Sequence, residues 1–113
     1  MKFLLAPNLS RRKTEECLNA VCEKIAGLGH LVMLDSKFNS AIHGNADIQY
    51  GDYFSLLHQC DFLVAIGGDG TIIHESKHAV DANKPIIGVN SGRLGFLAAL
   101  EQDEIDKFDL IVR

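Results

Sequence analysis

The clearest chemical signal in the sequence is a short run made of three glycines, an aspartate and a threonine. The run is Gly67-Gly68-Asp69-Gly70-Thr71, and it lies between a strongly apolar stretch and a segment with helical character. Three glycines in four residues permit positive φ angles and leave no Cβ to block a ligand. Amides at the start of the following helix, together with its dipole, favour a phosphate. We therefore predict a phosphate site at Gly67, Gly68, Gly70 and Thr71, although the run is neither a Walker A loop nor a Gly-x-Gly-x-x-Gly loop.

Asp69 is the unusual member of this run. A carboxylate in an anion-binding turn repels phosphate, so its presence indicates a second task. It could hold a magnesium ion, or accept the proton of a hydroxyl that attacks a phosphoryl group. The structural alternative is that it hydrogen-bonds backbone amides in a strand-to-helix turn. We assign Asp69 a catalytic role and keep the structural alternative open.

A second pattern, His-Glu-x-x-His at residues 74–78, matches the helical signature of zinc proteases. At about 100° per residue, His74 and His78 are predicted on the outer face of their helix, away from any sheet. No third ligand follows at a protease spacing, and Glu101 is a candidate only by its distance along the chain. We interpret the two histidines as an accidental surface pair. The residues predicted to face the sheet are Ile72, Ile73, Ser76, Ala79 and Val80.

The elements that would position these residues alternate between apolar strands and amphipathic helices. Strands are predicted at residues 2–6, 30–34, 61–66 and 85–89, with a further short one within 94–100. Helices are predicted from an N-cap at Ser10 to a stop at Gly29, and at residues 53–59, 71–82 and 103–108. Residues 36–51 lack periodicity and are predicted to form a loop.

This alternation predicts an α/β fold: a doubly wound, mostly parallel sheet of about four to five strands with flanking helices. Numbered along the chain, the four main strands are expected in the order 2-1-3-4. Ligands bind such sheets beyond the carboxyl ends of the strands. Three segments follow a strand, namely Pro7-Asn8, the glycine run and Asn90-Ser91-Gly92. We expect them to gather at one edge.

Length and composition limit the function further. The chain has 113 residues, 47% of them hydrophobic, with a net charge of −4, which suits one domain with a packed core. This net negative charge argues against nucleic-acid and membrane partners. Three cysteines without metal spacing, Cys17, Cys22 and Cys60, indicate reduced core thiols in a cytoplasmic protein. The basic residues 11–13 could reach a phosphate, but we interpret them as solvent-exposed residues in the first turn of a helix. Asp35 is only a weak candidate for binding a ribose.

A second motif, GVNSGRLGFL, occupies residues 88–97. Together the two motifs resemble the amino-terminal domain of NAD kinases, which share Gly-Gly-Asp-Gly-Thr followed by Gly-Ile/Val-Asn-x-Gly-x-Leu-Gly-Phe. The first motif also occurs in lipid kinases of the diacylglycerol kinase type and, in variant form, in 6-phosphofructokinases, so the second one discriminates. Its matching positions are Asn90, Gly92, Leu94 and Gly95.

The resemblance implies ATP-dependent phosphorylation of the 2′-hydroxyl of the adenosine ribose of NAD, which gives NADP. It implies that Asp69 contacts NAD and is the general base, and that Gly68 and Gly70 lie beside the nucleotides. It also implies that His74 reaches the dinucleotide and that Phe96 lines the NAD pocket. Mg²⁺ or another divalent cation would enter with ATP, without a metal site made by protein alone. The implied partners are NAD and ATP, in a full-length enzyme that is a homo-oligomer.

The sequence departs from the family pattern in one respect. The family carries an Asn-Glu or Asn-Asp pair in a following β-rich domain, and no such dipeptide occurs here. The chain also stops in an apolar run at residues 109–113. We therefore expect residues 1–113 to be the amino-terminal α/β domain, with the β-rich domain absent and the isolated chain inactive. Two alternatives stay open: a lipid or sugar kinase of the same superfamily, or a non-catalytic nucleotide-binding module.

Overall fold

Six parallel strands form one sheet. The structure is a computed structural model that describes residues 1–10 and 13–91 and the backbone of residues 100–101. The strands are β1 (Lys2–Pro7), β2 (Leu31–Asp35), β3 (Ile48–Gly51), β4 (Phe62–Gly67), β5 (Ile86–Asn90) and β6 (Leu100–Glu101). Their order is β3-β2-β1-β4-β5-β6, and every neighbouring pair is parallel. The predicted order of the four main strands is confirmed, and the additional strands β3 and β6 lie at the two edges.

Helices cover both faces of this sheet. They are α1 (Thr14–Gly27), α2 (Tyr53–Gln59) and α3 (Asp69–Ala82). Along β1, Phe3 and Leu5 pack in a cluster with α1, whereas Leu4 and Ala6 pack in a second cluster with α2 and α3. Burying one Leu or Phe side chain stabilises the fold by about 1.5–3 kcal/mol. The two-sided cover explains why the central strands are apolar throughout, and it confirms the predicted doubly wound α/β fold.

The loop predicted over residues 36–51 is confirmed for residues 42–47 and wrong for the residues on either side of them. A 3₁₀ helix occupies Ser36–Ala41, and the carboxylate of Asp35 caps it by accepting from the amide of Lys37 at 3.0 Å. Strand β3 then pairs with β2 at the edge of the sheet. Its residues Gln49 and Tyr50 are exposed. Because an edge strand of four residues buries so little, it shows none of the apolar pattern from which strands are predicted.

The predicted start of the first helix is also wrong. Helix α1 begins at Thr14 with Lys13 in the N-cap position, whereas the amide and hydroxyl of Ser10 donate to Asn8 Oδ1 at 3.2 and 2.6 Å. The stop is confirmed, because Gly29 adopts a φ of +86° just after the helix. Helix α3 begins two residues earlier than predicted. Residues 11–12, most of the predicted strand over 94–100 and the predicted helix at 103–108 lie outside the described residues.

Helix α3 packs on the sheet through a narrower stripe than predicted. Ile72 and Ala79 are buried and Ser76 is half-buried, but Ile73 and Val80 are 48% and 77% exposed. The last two residues lie roughly 90° around the helix from the buried stripe, so they cannot reach the sheet. Their predicted position is wrong. Among the described residues, no helix is both long and apolar enough to span a membrane.

Candidate functional site

The carboxyl ends of β1, β4 and β5 meet at the start of α3. From β1, Asn8 Nδ2 donates to the hydroxyl of Thr71 at 3.0 Å. From β5, Asn90 Nδ2 donates to Asp69 Oδ1 at 3.2 Å, and the amide of Ser91 donates to the carbonyl of Gly67 at 2.9 Å. These contacts confirm that the three segments gather at one edge, as the strand-end rule predicts.

The glycines of the loop are present for reasons other than positive φ. Gly68 is extended, with φ −98° and ψ −174°, and neither Gly67 nor Gly70 has a positive φ. A Cβ at Gly67 would lie 2.7 Å from Thr71 Oγ1 and 2.9 Å from Thr71 Cβ, so close packing excludes a side chain there. A Cβ at Gly70, by contrast, would meet nothing within 4 Å. The expected use of positive φ is therefore wrong, and the expected open space is found at Gly70.

Two asparagines hold the first turn of α3 from opposite sides. Asn8 continues the strand ladder, because its amide donates to the carbonyl of Ile66 at 2.9 Å. Asn90, the last residue of β5, is buried. The predicted strand ends place Asn8 at the correct edge, and its position directly after the first strand is the only signal in the sequence for its role here. The pair fixes Asp69 and Thr71 relative to the sheet.

A cavity of about 320 Å³ lies beside the loop, on the side of β1. Its lining residues are Pro7, Asn8, Gly70, Thr71, His74 and Glu75. Of the predicted phosphate and NAD contacts, it thus brings Gly70, Thr71 and His74 together. The carboxylate of Asp69 is bonded instead to Asn90 on the side of β5. The turn therefore presents a cavity on one side and a carboxylate on the other.

A second cavity, of about 430 Å³, adjoins the first and shares Pro7, His74 and Glu75 with it. It extends between α2 and the carboxyl end of β2, where Asp35, Tyr53 and Phe54 line it. The hydroxyl of Tyr53 donates to Glu75 Oε1 and so ties α2 to α3. Burial, reinforced by this hydrogen bond and the charge of Glu75, raises the pKa of Tyr53, which therefore remains a donor. Tyr53 and Phe54 carry no signal in the sequence that marks them as cavity residues.

The two histidines of the zinc-protease pattern face this second cavity. The ring of His78 is half-buried against Tyr53 and Phe54, at centroid distances of 5.6 and 5.4 Å, and His74 lies 5.0 Å from it. The predicted outer-face position is therefore wrong for His78. Within residues 1–10 and 13–91, no group of three or more His, Cys, Asp or Glu side chains is arranged to hold a metal ion. The side chain of Glu101 is not described, so its proposed part in a zinc site stays a prediction, and the described residues alone supply no zinc ligand set.

The cysteines are core residues, as predicted. Cys17, Cys22 and Cys60 are buried and reduced, and burial raises the pKa of Cys17 and of Cys22 to about 11. Such thiols are protonated at neutral pH and unreactive. The remaining predicted site residues, Gly92, Leu94, Gly95 and Phe96, lie outside the described residues, and their roles stay predictions.

Comparison with known proteins decides the family. The profile of the ATP-NAD kinase N-terminal domain matches residues 11–109. The chain belongs to the NAD kinase family. This family membership confirms the resemblance carried by the two motifs.

Relatives within the NAD kinase family match most of the chain. It is 46% identical to the NAD kinase of Wolinella succinogenes over 78 residues, which cover 68% of the chain and 25% of that protein. It is 33% identical to the NAD kinase of Chlorobium luteolum over 115 residues, which cover 98% of the chain and 36% of that protein. The chain thus spans about a quarter to a third of the length of these NAD kinases.

The fold also matches that of a solved structure. A crystal structure of yeast NADH kinase complexed with NADH superposes with a TM-score of 0.75 at 19% identity, and the match covers 99% of this chain and 37% of that one. At this level of identity the match supports the fold. It agrees with the parallel α/β sheet described above.

Proposed function

We propose that this chain is the nucleotide-binding domain of an NAD kinase, in which Asp69 is the general base for phosphorylation of the ribose 2′-hydroxyl of NAD by ATP. The observation that carries the proposal is the position of Asp69. It is the first residue of α3, it is held by Asn90, and it adjoins a loop beside an open cavity. A carboxylate fixed beside this cavity is suited to accept the proton of a hydroxyl group, whereas it would repel a phosphate bound directly to it.

The two sides of the turn suggest where each substrate lies. The donor phosphates would occupy the cavity on the side of β1, against the amides of Gly70 and Thr71 at the amino end of α3. The ribose of NAD would lie on the side of Asp69 and Asn90, close to the second motif. The resemblance implies that His74 contacts NAD, but because His74 lines the cavity on the side of β1, we propose it as a contact of the donor instead. We retain Phe96 as a predicted contact of NAD, and Gly92, Leu94 and Gly95 as predicted site residues of the second motif.

In the proposed reaction the 2′-oxygen of NAD attacks the γ-phosphorus of ATP and forms the new P–O bond. The bond between that phosphorus and the β,γ-bridging oxygen breaks, and ADP leaves. Asp69 accepts the hydroxyl proton as the bond forms. Positioned general bases contribute about 10²–10⁴-fold to such reactions.

The proposal also includes a divalent cation that arrives with ATP. We propose that this ion is held mainly by phosphate oxygens of ATP. We propose further that turnover needs a second, β-rich domain and takes place in a homo-oligomer in the cytoplasm. The relatives' greater length supports the need for further sequence.

The experiment is a substrate comparison with the complete protein as its gene encodes it. NAD, diacylglycerol and fructose 6-phosphate are offered with ATP and Mg²⁺, and we expect NADP as the only phosphorylated product. Asp69→Asn should lower kcat by about 10²–10⁴-fold while thermal unfolding is unchanged. Asp81→Asn, an exposed carboxylate on the same helix, is the matched control. Preferred phosphorylation of the lipid or sugar, or near-normal turnover by Asp69→Asn, would contradict the proposal.

A further inference from the structure

Glu75 places an acidic side chain in the wall of both cavities. It follows Thr71 by four residues, about one turn of α3, and it is half-buried. Side chains of a helix lean toward its amino end, so the carboxylate of Glu75 would lean toward Thr71 if nothing else held it. A carboxylate in that position would repel phosphates in the cavity beside Gly70 and Thr71. Phosphate binding there is therefore favoured only if this carboxylate is directed elsewhere.

The hydroxyl of Tyr53 directs it toward α2 by donating a hydrogen bond to Glu75 Oε1. The ring of Tyr53 is half-buried and meets the rings of Phe54 and His78 nearly edge to face, at centroid distances of 5.0 and 5.6 Å. Burial, followed by the hydrogen bond and the charge of Glu75, raises the pKa of Tyr53, so the hydroxyl keeps its proton. A confined ring with a permanent donor can hold a carboxylate in one orientation.

Helix α2 has anchors of its own besides this hydrogen bond. The carboxylate of Asp52 caps the helix by accepting from the amide of Ser55 at 3.3 Å. Leu56 and Leu57 are buried in the apolar cluster on the same face of the sheet. We therefore expect that removing only the hydroxyl of Tyr53 leaves α2 in place and releases the carboxylate on α3.

From this arrangement we infer that Tyr53 is a positioning residue for the phosphoryl donor: it holds the carboxylate of Glu75 toward α2 and so keeps the cavity beside Gly70 and Thr71 accessible to phosphates. The inference rests on the proposed function, because it concerns the donor cavity of that reaction. The alternative is that the hydrogen bond only joins α2 to α3. The two differ in one respect, because a purely structural bond would not act through the negative charge of Glu75.

The test is a double-mutant cycle in the complete protein, with initial rates of NADP formation from ATP and NAD. Tyr53→Phe should raise the KM for ATP by about tenfold and leave kcat and the KM for NAD unchanged, because it releases a like charge beside the phosphates. Glu75→Gln alone should not raise the KM for ATP. In the Glu75→Gln background, Tyr53→Phe should no longer raise it. The effect of Tyr53→Phe should also shrink as the ionic strength rises from about 0.1 to about 0.5 M.

The matched control is Tyr50→Phe, which removes the hydroxyl of an exposed tyrosine on β3 that lines neither of the two cavities. A Tyr53→Phe variant that behaves like this control would overturn the inference. An increase in KM that persists in the double variant would overturn it too, since the charge of Glu75 would then play no part. A Tyr53→Phe protein that does not fold would also overturn it, because α2 would then depend on this hydroxyl.

A binding measurement separates the inference from the proposed function. If the unmodified protein forms no NADP from ATP and NAD, the proposed function fails. Calorimetry with a non-hydrolysable ATP analogue then decides the inference, which requires that Tyr53→Phe weakens binding by about tenfold and that adding Glu75→Gln restores it. If the unmodified protein does not bind the analogue, the inference fails as well.

Discussion

Replacing Gly70 by alanine should stabilise the fold and impair nucleotide binding at the same time. Gly70 is the second residue of α3 and does not have a positive φ, and a Cβ built on it meets nothing within 4 Å. Alanine is favoured over glycine in a helix by about 0.5–1 kcal/mol, and we expect the lower end so close to the helix start. Nothing within the described residues therefore requires a glycine. We therefore predict that a ligand uses this space and that a side chain at Gly70 would interfere with it.

The added methyl would occupy the cavity beside Thr71, where the donor phosphates are proposed to lie. We expect the KM for ATP to rise at least tenfold, or about 1.4 kcal/mol, while urea unfolding shows a gain of about 0.5 kcal/mol. Gly67→Ala is the contrasting variant. Its Cβ would lie 2.7 Å from Thr71 Oγ1, and overpacking of this kind costs roughly 1–3 kcal/mol. A destabilised Gly70→Ala protein, or one with an unchanged KM for ATP, would refute the reasoning.

Two further expectations concern stability. The buried hydroxyl of Thr14 lies 3.0 Å from Ser91 Oγ, so Ser91→Ala removes its partner and should lower the free energy of unfolding in urea by about 1–3 kcal/mol. Adding Thr14→Val should recover part of this loss of stability. Strictly additive effects of the two substitutions would contradict the pairing. Burial in the folded state raises the pKa values of Cys17 and Cys22 from 9.0 to about 11. Their contribution to stability is therefore complete below pH 9 and is lost as the pH rises toward 11. The loss is up to about 1.4 kcal/mol per pH unit for each thiol. Cys17→Ala should flatten that decline, and an unchanged slope would count against it.

The central strands could be predicted because each is covered on both faces. Leu63, Val64 and Ile66 in β4 are all buried, so the sequence is apolar without interruption. Strand β3 could not be predicted in this way, because its residues Gln49 and Tyr50 face solvent at the sheet edge. The edge strand β3 is stabilised by its ladder of backbone hydrogen bonds with β2, and such bonds do not depend on which side chains are present.

The candidate site, too, could be predicted only in part. That Asn8, Asp69 and Asn90 would meet follows from the rule that parallel strands end at one edge. The need for glycine at position 67 does not follow from it, because that need arises from the distance to Thr71. Likewise Phe54 looks like an ordinary helical aromatic in the sequence. Only the packing of α2 against α3 places it in a cavity.

The position of Asp69 resolves the conflict between a carboxylate and a phosphate site in one turn. At about 4 Å, two like charges repel by about 4 kcal/mol near a protein surface, which would oppose donor binding if both shared a space. Asn90 donates to the carboxylate from the β5 side, whereas the cavity beside Gly70 and Thr71 opens toward β1. The helix start thus lies between the two groups. The carboxylate therefore does not share the cavity in which the donor phosphates are proposed to lie, and the proposed transfer requires that the hydroxyl oxygen and the phosphorus meet within about 3–3.5 Å at the edge of this turn.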